Sequence, residues 1–324
     1  MRRRKFIALA GGTAAWSIAA RAGQTAMPVM GLLALARPAW VMNAIHAGLK
    51  EAGYEDGRNL TIVERSANGQ FDRLPALAES LVRSQVDAIF ATGSPVPARL
   101  AKAATTTIPI VFAYGGDPVA DGLVDSLNHP GGNVTGATFI GAALLAKRME
   151  IIREILPRAT EVALLVNPQG TLAERQIEEG KAAATALEQH LHVLNTSTIS
   201  DVDVAFETMA QLKIEAFIVS TDPFFGFVGH DRIASQALHY KIPGIYTGRE
   251  EVDTGGLISY GPDKTDTWRQ AAIYVGRILK GEKASDLPVM QPTKFELVIN
   301  LKIANEIGLT IPTTLLSRAD AVIE

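Results

Sequence analysis

Along most of the chain, apolar runs of about five residues alternate with longer segments whose apolar positions recur every three or four residues. Short runs bounded by Gly, Pro and Asn read as buried strands, and the longer segments as helices packed on them. The first run, Pro28–Leu35, is followed by a helix over Trp40–Ala52, a strand over Asn59–Arg65 and a helix over Phe71–Ser84. In that helix Leu74, Leu77, Leu81 and Val82 share a face. A strand at Val86–Ala91, a helix at Val96–Thr105 and a strand at Ile108–Ala113 continue the series. The alternation resumes with strands at Glu161–Val166, His192–Thr196, Ala216–Val219 and Ile242–Tyr246, separated by helical segments. A βα series of this kind predicts parallel sheets covered by helices on both faces, an α/β protein.

One stretch organises the rest. Ala88-Ile-Phe-Ala-Thr-Gly-Ser-Pro95 is a strand end turning into a helix, with Ser94 at the N-cap and Pro95 at the first helical position. The same pattern recurs at Phe217-Ile-Val-Ser-Thr-Asp-Pro223. Each copy leads through a helix to a matching strand, Thr107-Ile-Pro-Ile-Val-Phe112 or Lys241-Ile-Pro-Gly-Ile-Tyr246. Each then reaches a Val/Asp/Gly turn, Val119-Ala-Asp-Gly122 or Val252-Asp-Thr-Gly255. Two matching units predict two doubly wound lobes with strand ends facing each other, and a length of 324 residues fits two cores better than one. Val134–Phe139, Gly256–Tyr260 and Pro292–Asn300 are the expected hinge strands. They divide the chain into residues 23–138 plus 262–292 for the first lobe and 139–261 plus 293–324 for the second.

The N-terminus changes the picture of where the chain works. Arg2-Arg-Arg-Lys5 precedes a short Gly/Ala-rich apolar stretch, Phe6–Ala20, and small residues before Gly23. This reads as an export signal over residues 1–22, and Arg3-Arg4-Lys5-Phe6-Ile7 resembles the twin-arginine motif. Without residues 1–22 the chain has 26 basic residues against 34 acidic ones, a net charge near −8. That disfavours nucleic acid and anionic membranes as partners. No later apolar run is long enough to span a bilayer. The absence of cysteine excludes disulfides, thiolate metal sites and a Cys nucleophile.

Candidate chemistry gathers at the strand ends. Thr92, Gly93, Ser94 and Pro95 form a helix start where backbone N–H groups would favour a small anion such as a carboxylate; alternatively, Ser94 only caps its helix. Asp117 and Asp222 are carboxylates able to compensate a ligand ammonium, or helix N-caps. Asn167, before Pro168, offers an amide to a ligand or forms a turn. Phe224, Phe225 and Phe227 would floor an apolar pocket or pack beneath their own loop, and Trp40 is read in the same way. Tyr246 and Tyr260 end strands and would present hydroxyls. The six histidines form no metal-ligand spacing. No phosphate-binding glycine loop or Gly-x-Ser-x-Gly elbow occurs.

The export signal, the Thr92–Pro95 turn and Gly116-Asp-Pro-Val119 belong to an ordered set of motifs. The set continues through Asn128-His-Pro-Gly-Gly-Asn-Val-Thr-Gly136, Asn167-Pro168, Ile278-Leu-Lys-Gly-Glu-Lys283, Asp286-Leu-Pro-Val289, Asn300 and Gly308-Leu-Thr-Ile-Pro312. Taken together it resembles the ABC-transporter substrate-binding proteins with a type I periplasmic-binding fold, in the branch that includes tryptophan and aromatic amino-acid receptors. The resemblance spans essentially the whole mature chain. It implies a periplasmic, monomeric receptor without cofactor that closes on a small solute and docks on an ABC permease. Two other readings remain: a ligand sensor for a signalling receptor, and an α/β enzyme using Asp117 and Asp222 as acid and base.

Overall fold

The computed structural model describes residues 27–139 and 144–324; the expected export signal, residues 1–22, lies outside these. A five-stranded parallel sheet forms the first lobe from β1 (Val29–Ala34), β2 (Thr61–Ser66), β3 (Ala88–Thr92), β4 (Ile110–Tyr114) and β5 (Val134–Thr138), in the order β2-β1-β3-β4-β5. Side chains alternate between its two faces. Phe90, Val111 and Ala113 join the core beneath α1 (Ala39–Glu51) and α9 (Lys264–Leu279). Ile89, Ala91, Ile110 and Phe112 join the opposite core beneath α2 (Leu74–Arg83) and α3 (Pro95–Ala104). Both faces are therefore buried, which explains the nearly continuous apolar runs.

The second lobe is built alike. Its helices are α4 (Leu145–Ile155), α5 (Ala173–Ala186), α6 (Ile199–Leu212), α7 (His230–Tyr240) and α8 (Arg249–Asp253). Its strands include β6 (Glu161–Val166), β7 (His190–Asn195), β8 (Ala216–Val219), β9 (Gly244–Tyr246) and β10 (Ile258–Pro262). After these come β11 (Phe295–Asn300), the short helices α10 (Leu301–Ile307) and α11 (Thr313–Leu316), and β12 (Ala321–Ile323). The strand order is β12-β11-β10-β9-β8-β6-β7. Ala216 and Ile218 face one core while Phe217 and Val219 face the other.

One pair departs from the expected parallel pattern: β11 runs antiparallel to β10. β10 runs out of the second lobe toward α9, whereas β11 brings the chain back, so neighbouring strands must oppose. The chain changes lobe three times: after β5, between β10 and α9, and before β11. At the last crossing Met290 bridges to Ala137, donating its N–H to Gly136 O at 2.9 Å. The connecting strands thus touch one another where the lobes meet.

Candidate functional site

Turns after strands of both sheets line a common cleft. Such strand ends are the general position for ligands in α/β folds. The first lobe supplies Gly93 after β3, Gly115 after β4 and Phe139 after β5. The second supplies Thr221, Asp222 and Pro223 after β8, and Thr247 after β9.

Four aromatic side chains shape this space: Trp40, Phe139, Phe227 and Trp268. Trp268 is buried on α9, and its indole N–H donates to the Thr92 hydroxyl. Its ring meets Trp40 edge-on at 5.4 Å and Phe139 at 5.3 Å. Trp40 in turn stacks on Phe227 at 6.1 Å with 19° between planes, an aromatic contact from one lobe to the other. Phe139 lies so close over the Gly115 backbone that a Cβ there would come within 2.4 Å of its ring. Gly93 has φ +101°, a conformation that side chains with a Cβ rarely adopt.

Phe227 reaches the cleft because the chain after Pro223 takes one wide π-helical turn over Phe225–Gly229 before α7. The turn sends Phe225 into the second lobe's core and leaves Phe227 at the cleft. Phe224 packs edge-on to Phe225 at 5.3 Å. It borders an adjoining chamber of about 940 Å3 toward the outer strands β2 and β7.

Asp222 walls both spaces. Its Oδ1 accepts from Asn167 Nδ2 at 2.9 Å and from the Phe224 N–H at 2.8 Å. No donor among the described residues bonds Oδ2. Burial raises the Asp222 carboxyl above the ordinary carboxylate range, against these two hydrogen bonds. A second polar group closes the other side. Lys264 Nζ, buried at the first residue of α9, donates to Glu250 and to Thr247 Oγ1 at 3.0 Å, and lies 3.5 Å from Glu251 Oε2. Burial opposes the Lys264 charge, but Glu250 and Glu251 together hold its ammonium above the usual lysine range. Arg148, fully buried on α4, donates Nε–H to Tyr260 O at 2.9 Å, while its other two nitrogens lack partners among the described residues. Burial pulls its guanidinium down to about 10, opposed by Glu251. Lys264 therefore ties a helix of the first lobe to β9 and α8 of the second.

The expected residues separate into three groups. Trp40, Gly93, Asp222 and Phe227 meet at the cleft, with Asn167 and Phe224 beside them in the adjoining chamber. Thr92, Ser94 and Pro95 are buried behind it: Thr92 holds Trp268, and Ser94 Oγ accepts from the Val96 N–H at 3.3 Å as a helix cap. Asp117, Tyr246 and Tyr260 lie elsewhere. Asp117 Oδ1 accepts from the Val119 and Ala120 N–H groups of its own turn. Tyr246 is buried in the second lobe with its ring edge-on to Phe217 at 5.8 Å, because it points to the same sheet face as Phe217. Tyr260 is half-buried and stacks on Phe295 at 6.4 Å. Sequence reasoning missed Phe139, Trp268, Glu250 and Lys264. Only the Gly115-Gly116 strand-end turn hinted at the first of these. The histidine pair His190 and His192 brackets Glu161, at 2.9 and 2.5 Å. Among the described residues no group of three or more His, Asp and Glu is placed to hold a metal ion.

The family described as ABC transporter substrate binding protein matches residues 38–323, which takes in both lobes and every residue of the cleft. The chain belongs to this family. Among curated proteins, this substrate-binding protein is 29% identical over 253 residues to the tyrosine-binding protein of Clostridioides difficile, covering 78% of this chain and 72% of that one. Among solved structures it is similar to an ABC domain from Streptococcus pneumonia in complex with L-Trp: TM-score 0.82, 25% identity, 92% of this chain and 100% of that one. It also shares the fold of a ligand-free, open substrate-binding protein from Clostridium difficile, with TM-score 0.67, 24% identity, and 91% and 99% coverage. The family is one of binding proteins, not enzymes. The acid/base pairing of Asp117 with Asp222 falls with it, since Asp117 is engaged in its own turn. Among the described residues no helix is long and apolar enough to cross a membrane.

Proposed function

We propose that this substrate-binding protein is exported, closes on a small aromatic molecule bearing an amine, and delivers it to the membrane-spanning subunits of an ABC importer. An aromatic amino acid is the simplest such ligand. The observation that carries this reading is the pairing of an aromatic box with a desolvated carboxylate whose Oδ2 has no donor among the described residues. An ammonium at Asp222 gains a charge-assisted hydrogen bond in a site that costs the carboxylate its water. The ligand ring packs among Trp40, Phe139, Phe227 and Trp268, where stacked and edge-on contacts add to burial. Because Trp40, Phe139 and Trp268 come from the first lobe and Phe227 and the carboxylate from the second, a ligand that bridges them favours the closed state and shifts the population toward it. The tyrosine-binding relative and the L-Trp complex support this ligand class.

The test is calorimetric titration of the chain from residue 23 onward, purified free of ligand, with L-tyrosine, L-tryptophan, L-phenylalanine, L-leucine and L-arginine. Binding of an aromatic member with a Kd of about 1 μM or tighter is expected, with leucine and arginine at least tenfold weaker. Preference for arginine, or no binding of any aromatic amino acid, overturns the reading. Loss of uptake of the bound solute on deletion of this protein's own gene tests delivery separately from binding.

A further inference from the structure

The larger chamber beyond Asp222 has no role in holding a single amino acid. It adjoins the aromatic pocket, since Asp222, Pro223 and Phe227 border both spaces. Its chemistry differs sharply. Asp222 is the single ionisable side chain among the described residues that line it, and these include no Lys, Arg or His. The first lobe contributes Asn68 and Gln70, and the second Gln169. The Gln70 and Gln169 side-chain amides make no hydrogen bond to any described residue. Outside them the rim carries Phe71, Ile199 and Val228, which are 49%, 41% and 47% exposed. Exposed apolar side chains gathered from both lobes around one opening need a partner to cover them.

We infer that this chamber is an extension subsite, and that the protein accepts short peptides with an aromatic first residue as well as a free aromatic amino acid. Both ligands depend on the proposed placement of an ammonium at Asp222. With the amine there and the ring in the aromatic pocket, the group on the carboxyl side of the ligand's α-carbon enters the chamber. A free amino acid places its carboxylate there, where no lining cation compensates it, so the carboxylate keeps its water at the open mouth. A neutral peptide group meets amide side chains of matching donor and acceptor chemistry instead. The second residue's side chain then covers Phe71, Ile199 and Val228, and its terminal carboxylate reaches water at the open mouth.

Competitive titration of the protein from residue 23 onward with L-tyrosine, L-tyrosinamide, L-tyrosyl-L-alanine and N-acetyl-L-tyrosine tests this. Tyrosinamide and the dipeptide should bind at least as tightly as tyrosine, whereas the acetylated compound, which lacks the ammonium, should bind at least thirtyfold more weakly. Gln70→Trp, filling the chamber from the first lobe, should weaken the dipeptide at least tenfold and leave tyrosine within threefold. Gln169→Trp does the same from the second lobe and replaces the first variant if that one does not fold. Tyrosine binding with the dipeptide more than tenfold weaker makes the chamber a solvent-filled mouth and overturns the inference alone. A variant that weakens both ligands equally also overturns it, and failure of every compound overturns it together with the reading of the aromatic pocket.

Discussion

The bend after β3 and the bend after β8 share one sequence pattern and one kind of cap, Ser94 on the Val96 N–H and Asp222 on the Phe224 N–H, yet they present different groups to the cleft. In the first lobe the bend turns inward: Thr92 accepts from the Trp268 indole, Ser94 caps α3, and both side chains are buried. In the second lobe Asp222 is anchored through one oxygen by Asn167 and the Phe224 N–H, its other oxygen lies beside Gly170 without a donor among the described residues, and the residue borders the cleft. The backbone beyond each proline sets the difference. Pro95 opens α3 directly, so the preceding side chain is used as a cap. Pro223 leads through Phe224, whose N–H Asp222 caps, into a π-helical turn that projects Phe227 to the cleft. The first lobe therefore contributes three of the four rings and the second the fourth ring and the Asp222 carboxylate, and neither half recognises an amine-bearing aromatic ligand alone.

Mutations that separate stability from binding sharpen this contrast. Trp268→Ala should have the largest effect. Removing a fully buried indole costs about 3–5 kcal/mol of stability, read as a fall in the urea midpoint, and binding falls with it. Asp222→Asn should leave the urea midpoint nearly unchanged while weakening an aromatic amino acid roughly 100-fold, about 2–3 kcal/mol, in calorimetry; an unchanged Kd would break the assignment of the charge to the second bend. Thr92→Val removes the indole's acceptor and should cost about 1–2 kcal/mol of stability, with a smaller loss of binding than Asp222→Asn. Ser94→Ala should cost about 1 kcal/mol of stability as a lost cap, with the Kd within about twofold; a larger loss of binding than of stability would return the first bend to the site.

The dependence on pH has a definite sign. Burial raises the folded-state Asp222 carboxyl above its unfolded value. Its contribution to the stability of the ligand-free protein is therefore present below the ordinary carboxylate range and lost as pH rises through the raised value. Binding runs the other way: the amine requires the ionised form, so affinity falls as pH drops through that value and binding near it releases a proton. Calorimetry in two buffers of different ionisation enthalpy measures the release, and Asp222→Asn should abolish it.

Most of the architecture was legible because burial on both sheet faces leaves strong apolar runs. The strands over Glu161–Val166 and Ala216–Val219 have the bounds the pattern predicts. The antiparallel β11 was not legible, since its direction depends on which way the chain re-enters the second lobe. Asp222 and Trp40 stood out because they sit at the start of elements facing the cleft. Tyr246 misled for a related reason: a strand-end position does not say which face of the sheet the side chain takes, and β9 turns it into the core beside Phe217.

By itself the sequence determined a cysteine-free, acidic, two-lobed α/β chain with a repeated strand–bend–helix unit, because period, punctuation and charge are local properties. The tertiary structure decided the membership of the cleft. Trp268 and Lys264 come from a helix far along the chain that returns to pack on the first lobe, and Phe139 reaches the pocket only because Gly115 leaves room for its ring. Contacts of that kind depend on how helices rotate and how lobes meet, and no local pattern encodes either.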